Sequence, residues 1–245
     1  MRKILTFLLM FLTISSVACA EEITFRGIPW GSSMSEIEES FDSDMFYTHD
    51  EATVRRWENI TEQVDWEHLY DYPDGWECLY MGFGEYAMKV AGYDVIMSVA
   101  CRYGIGENDE ILKDKSDSVL CSASYTFDVI DYVAAYDDLK AKLTSLYGDG
   151  IETTDTDEGY HWGMNTSGEY HTTVKVTTWV GENDTEAKLY CSVDDVDDPL
   201  LQNDLLVLYY GKTSEDENIA RLQNLLHLEA LSNEQEGRND DMSGL

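Results

Sequence analysis

The residues best placed to do chemistry are carboxylates. Asp155-Thr156-Asp157-Glu158-Gly159 sets hard oxygens at i and i+2, the opening spacing of a calcium loop. A complete loop also needs a ligand at its fifth position and a distal Glu at its twelfth. Those positions hold Gly159 and Thr166. Asp194, Asp195, Asp197 and Asp198 form a second cluster. The two clusters leave two readings open: solvated turns, or weak Ca²⁺ sites with Asp155, Asp157, Asp195 and Asp198 as ligands. Paired carboxylates beside Trp could also hydrolyse a glycosidic bond. With 49 Asp and Glu in the chain, chance pairs are inevitable and no pair stands out.

The other reactive residue types do not assemble. Five histidines occur, and no two of them fall four apart as a zinc helix requires. His161 and His171 are expected to approach across a hairpin turning at residues 163–168, without a third ligand nearby in sequence. There is no G-x-S-x-G elbow and no P-loop, and Gly104-x-Gly106 is too short for a dinucleotide site. No catalytic residue and no cofactor is assigned from the sequence.

Cys78, Cys101, Cys121 and Cys191 allow three disulfide pairings, or none if they are buried thiols. Alternating apolar residues at 93–103 and 119–127 predict two half-buried strands forming an antiparallel hairpin. Centring that hairpin near residue 111 puts Cys101 opposite Cys121, which predicts a bonded or nearly touching pair.

The elements that would position these groups follow from local pattern. Ile23–Ile28 alternates and reads as a short strand ended by Pro29-Trp30-Gly31. Ser33 with Glu36 is a capping box, and Ile37 and Phe41 follow on one helical face. A helix is expected near residues 52–60. Asp131 caps a second helix with the stripe Tyr132, Tyr136, Leu139, Leu143, Leu146 and Tyr147, stopped by Gly148. Strands are expected at 160–163, 172–180, 187–193 and 204–210, separated by turn residues. Ser214 and Glu217 start a last helix with Ile219, Leu222, Leu225 and Leu226 inward, and residues 232–245 read as a flexible polar tail. The order is not a strict βαβ alternation. It predicts an α+β fold, with antiparallel sheet packed against a few helices. A single domain over 21–231 is expected, with degenerate helix-then-sheet halves at 21–130 and 131–231 as its subdivision.

Residues 1–20 read as a cleavable signal peptide. Arg2 and Lys3 precede an apolar run from Ile4 to Ile14, and Ala18-Cys19-Ala20 supplies small residues for cleavage. The run is about half the ~20 residues a span requires, so no transmembrane segment is expected in the mature chain. The expected location is secreted or periplasmic, with lipid anchoring through Cys19 as the lesser alternative. A formal net charge of −33 repels nucleic acid and anionic membrane surfaces. It leaves an unknown protein or an extracellular ligand as the partner class.

Two stretches carry a family resemblance. Phe25-Arg26-Gly27-Ile28-Pro29-Trp30-Gly31-Ser32-Ser33, leading to Glu36-Ile37, resembles the opening of a family of uncharacterised secreted bacterial proteins, of the type F-x-G-[IVL]-x-[WF]-G-[ST] followed by Glu-[Ile/Val]. Ala91-Gly92-Tyr93, Leu146-Tyr147-Gly148, Tyr160 to Trp162 and Leu205 to Tyr209 agree with it. The chain is also distantly similar to small outer-membrane assembly lipoproteins and to the β-lactamase-inhibitor-like fold, which are binding proteins. The resemblance implies an exported α+β protein and supplies no catalytic residues. A binding or envelope-support role is therefore the leading expectation, and a carboxylate-dependent extracellular hydrolase is the alternative.

Overall fold

The computed structural model describes residues 21–41, 46–49, 79–162, 167–196 and 204–242. Its centre is one eight-stranded, fully antiparallel sheet flanked by helices, an α+β fold. Helix α1 (Met34–Ser40) leads into β1 (Phe46–His49), β2 (Leu79–Val90) and β3 (Tyr93–Arg102). A small excursion holds β4 (Gly104–Ile105) and β5 (Ile111–Leu112), which pair only with each other. Strand β6 (Val119–Asp128) returns to the sheet. Helix α2 (Tyr132–Tyr147) then leads into β7 (Ile151–Trp162), β8 (Ser167–Val180), β9 (Thr185–Val196) and β10 (Leu205–Lys212). The long helix α3 (Glu215–Met242) closes the described chain.

The strand order is β1-β2-β3-β6-β10-β9-β8-β7. Helices α1 and α2 are thus each followed by four strands of the sheet, and the last strands of the two sets, β6 and β10, pair antiparallel at the centre. Two like units joined about a two-fold axis through that seam would give this order.

The main core lies on one face only. The odd positions Val95, Met97 and Val99 of β3 and Ala123, Tyr125 and Phe127 of β6 are buried there. Leu206, Leu208 and Tyr210 of β10 join them, with Ala187, Leu189 and Cys191 of β9. Helix α1 contributes Met34 and Ile37, and α2 contributes Ala135, Tyr136, Leu139 and Leu143. Both helices therefore cover the same side.

Local chemistry explains the helix positions. The capping box is formed: Glu36 N donates to Ser33 Oγ at 3.2 Å and Ser33 N donates to Glu36 Oε2 at 2.8 Å. Ser118 Oγ, at the start of β6, accepts from Met34 N at 3.0 Å and ties α1 to the sheet. Asp131 Oδ1 accepts from Ala134 N at 3.0 Å, and Gly148 ends α2 at φ +83°. The N-terminal residues reach the far meander, where Ile23 N donates to Thr185 Oγ1 at 2.9 Å.

Several sequence expectations are corrected. Residues 23–28 form no strand. Arg26 and Gly27 adopt φ +55° and +74°, and Ile28 N turns back to Phe25 O at 2.9 Å. That double positive φ makes a tight turn, with Phe25 buried beneath it. Leu146 is 73% exposed, because α2 buries the Ala135, Tyr136, Leu139 and Leu143 side instead. Helix α3 continues to Met242 through the stretch read as a flexible tail. The expected helix at 52–60 lies outside the described residues. No helix among the described residues is long and apolar enough to cross a membrane.

Candidate binding face

The second face of the sheet is built from the even positions of β3, β6, β8 and β9 and the odd positions of β10 and β7. Its rows can be read from the register. Ile96, Thr126, Val207, Tyr190, Val176 and Thr153 stand side by side across six strands. One row away run Ser98, Ser124, Tyr209, Lys188, Thr178 and Ile151. In the first row Ile96, Thr126, Val207, Tyr190 and Val176 are half-buried and Thr153 is exposed. Neither α1 nor α2 lies on this side. Among the described elements only the start of α3 approaches it, at one end.

That end is polar and closely packed. Arg102 Nε donates to Glu215 Oε2 at 2.5 Å, and the two side chains are only 12% and 11% exposed. Arg102 Nη1 also donates to Tyr103 O at 3.2 Å. The pair pins the first turn of α3 to the end of β3. Beyond it, Leu222 is fully buried with Tyr103, and Ile105, Ile111, Ile219 and Leu226 pack against these two. Beside the pair, Lys188 Nζ meets Glu186 Oε1 at 2.5 Å and sits 6.0 Å over the Tyr209 ring. The Tyr209 ring lies across Gly211, two residues along β10 on the same face. Burial, followed by the nearby Cys121 and Glu186, pushes the Tyr209 phenol well above the usual tyrosine range. It is a hydrogen-bonding neutral group, not a base at neutral pH.

The opposite margin is acidic. Asp94 pairs with Asp128 across β3 and β6, two residues beyond the Ile96–Thr126 rung, and Asp128 is exposed. Asp155, exposed on β7, stands opposite Val174. Around the corner from this margin lies an open depression of about 540 Å³, lined by Asp94, Asp128, Asp131, Tyr93 and the exposed Ile130. Two of its three carboxylates are engaged: Asp94 meets Lys89 at 2.7 Å, and Asp131 caps α2. No Trp lines it.

Three of the expected metal ligands, Asp155, Asp157 and Asp195, fall on strands. Asp155 and Asp157 lie two apart on the edge strand β7, and Asp155 Oδ1 accepts from Thr156 N at 2.9 Å. Asp195 is in β9 opposite His171, three rungs from the Asp155 row. Asp194 Oδ1 accepts from Thr172 Oγ1 at 2.6 Å. Asp198 lies outside the described residues. An extended backbone turns successive side chains to opposite faces, so Asp155 to Glu158 and Asp194 to Asp195 do not wrap a cation as a loop would. Among the described residues no three His, Cys, Asp or Glu side chains converge as a metal site. His161 pairs with Gly168 and His171 with Glu158, so the two histidines are three register positions apart and form no pair across the hairpin.

Of the cysteine expectation, the bond is corrected, while the two thiols stay neighbours: burial first, and then Cys121, raises the Cys101 thiol. The β3–β6 register runs as expected through Asp94↔Asp128, Val99↔Ala123 and Ala100↔Ser122. It then shifts, and Cys101 pairs with Leu120. Cys121 is the extra residue of a bulge, and its thiol hydrogen-bonds to Ala100 O at 3.2 Å. Cys101, Cys121 and Cys191 are free and buried. Burial pushes the Cys191 thiol up to about 11 and the Cys121 thiol up to about 12, so all remain protonated at neutral pH.

Sequence reasoning missed the face itself. One signal was present. Leu205-Leu206-Val207-Leu208-Tyr209-Tyr210 is apolar in both phases of the strand, the mark of a strand with something to cover on each side. A comparison with protein-family models gives no match, and a search of curated proteins gives none either.

Proposed function

We propose that this chain is an exported, non-enzymatic binding protein that holds a protein partner on the second face of its sheet. The observation that carries the reading is the row Ile96–Thr126–Val207–Tyr190–Val176, apolar or weakly polar, unroofed by α1 and α2, and rigidly backed by the core. Aromatic and β-branched side chains at the centre with charges at the margin is the anatomy of a protein interface. Export rests on the cation-led apolar leader and its A-x-A boundary. The resemblance to secreted and inhibitor-like binding proteins agrees in kind.

The hydrolase reading needs a pocket with two facing carboxylates and an aromatic platform. In the one depression described above, Asp94 and Asp131 are engaged in holding the fold. The test is a pull-down from the native envelope fraction, with the wild-type chain beside a Tyr190→Ser/Val207→Ser variant of equal stability. A partner retained by the first and lost by the second supports the proposal. Equal recovery with both places the partner elsewhere and refutes it.

A further inference from the structure

We infer that the partner carried on this face is a basic amphipathic polypeptide, an inference that rests on the binding reading above and adds the charge of what is bound. Three cations on this face have an acid of their own among the described residues: Lys188 has Glu186, Arg102 has Glu215, and Lys89 has Asp94. Asp128 and Asp155 are exposed, and neither faces a cation among the described residues. They border the apolar row on the side away from α3. A partner laid along the row would set its apolar side chains on Tyr190, Val207 and Ile96. Its margin would meet these two carboxylates.

The whole-molecule field acts in the same direction. A formal charge of −33 attracts a cationic chain from a distance and repels a second copy of this protein, nucleic acid and anionic lipid. Specificity then comes from the combination: charge brings the partner, and the apolar row selects one with a matching stripe. A merely basic chain lacks the second element.

The test uses the mature chain and two synthetic amphipathic peptides of equal length. They share one leucine face, and the polar face is lysine in one and glutamate in the other. Titration calorimetry is done at low and physiological salt. The expected result is binding of the lysine peptide, at least tenfold weaker binding of the glutamate peptide, and loss of affinity as salt rises. Asp128→Asn with Asp155→Asn should weaken the lysine peptide roughly fivefold, as two exposed ion pairs would. Tyr190→Ser with Val207→Ser should abolish binding. Val174→Lys, on the same face and with no core contact removed, serves if that variant is unstable.

Equal binding of the two peptides, lost in the Tyr190/Val207 variant, would overturn the basic-partner inference and leave the binding face standing. Lysine-peptide binding untouched by both face variants would show diffuse attraction to net charge and overturn both. Binding of neither peptide would overturn the inference. A dimer seen by sedimentation that disappears with Val174→Lys would name a second copy as the occupant and also overturn it.

Discussion

The Tyr209 side chain packs against Gly211: a Cβ placed on residue 211 would stand 2.5 Å from Tyr209 Oη. One aromatic residue covers the bare backbone of the glycine two positions along the same strand. The arrangement lies at the α3 end of the sheet's second face and sets the ring where Lys188 sits above it. Gly211→Ala is expected to push the ring out of this position, with an overpacking loss of about 1–3 kcal/mol. Thermal unfolding measures the loss. Near-ultraviolet circular dichroism checks whether a tyrosine has moved.

The Arg102–Glu215 pair is expected to hold α3 to the sheet. Glu215→Gln leaves a guanidinium with little water and no counter-charge, which typically destabilises by about 3–5 kcal/mol for a buried pair. The value here should fall toward the lower end, since both side chains keep some exposure. Amide exchange should rise in residues 215–226 before it rises in the core strands. Replacing both partners, as Arg102→Met with Glu215→Leu, should recover most of the loss, because no uncompensated charge remains.

Two serines at the start of α1 are expected to contribute separately. Ser33→Ala removes an N-cap and should lower stability by about 1 kcal/mol. Ser118→Ala strips the buried acceptor from Met34 N, with a similar or larger effect of about 1–2 kcal/mol. Urea unfolding of the two single variants and the double variant would show whether the effects add.

How much of this was legible in the sequence varies with the kind of force involved. Period-two alternation at Val95–Cys101 and Val119–Phe127 located a real strand pair and most of its register, because the pleat forces apolar residues to one side. The bulge at Cys121 was not legible. Whether an extra residue is absorbed depends on the Ser118 contact with α1 and on the turn into β5, which no local pattern encodes. The Asp155–Glu158 run looked like a loop because acids disfavour strands, yet at a sheet edge they face water on both sides and the ladder to β8 overrides the preference. Helix α2 was read correctly from Asp131 to Gly148, while its inward side was misjudged at Leu146. Of the binding face, only the doubly apolar run at 205–210 was visible. Val176, Tyr190 and Ile96 become one row only once the strand order is known.

Alkaline pH is expected to unfold the protein before its surface carboxylates or lysines would explain it. Burial holds the Tyr136 phenol up to about 12, against 10.0 for a free phenol, and holds the Cys191 thiol up to about 11 against 9.0. A raised folded-state value means the neutral form stabilises the fold. That contribution is complete below about pH 9 and is lost as pH climbs through 11 and 12. Far-ultraviolet circular dichroism against pH should show this loss. Tyr136→Phe should flatten its upper part while lowering stability at pH 7, since Thr177 Oγ1 loses its 2.6 Å partner.

The three described thiols are expected to be inert in the folded state. Cys101, Cys121 and Cys191 are buried and protonated at neutral pH, so a disulfide reagent should react with them only at the rate of unfolding. Peptide mapping after alkylation in denaturant, without reductant, should recover Cys101 and Cys121 as separate free thiols. A linked Cys101–Cys121 peptide would contradict the bulged register.

Site-specific photocrosslinking in the native compartment tests the account most directly. A photoreactive residue is placed at Val207, in the centre of the proposed face, and in a second chain at Leu146, exposed on the helical side. The expected result is one discrete adduct from position 207 under conditions where position 146 gives none. Adducts from position 146 alone would mean that partners meet the helices, and the sheet face would lose its assigned role.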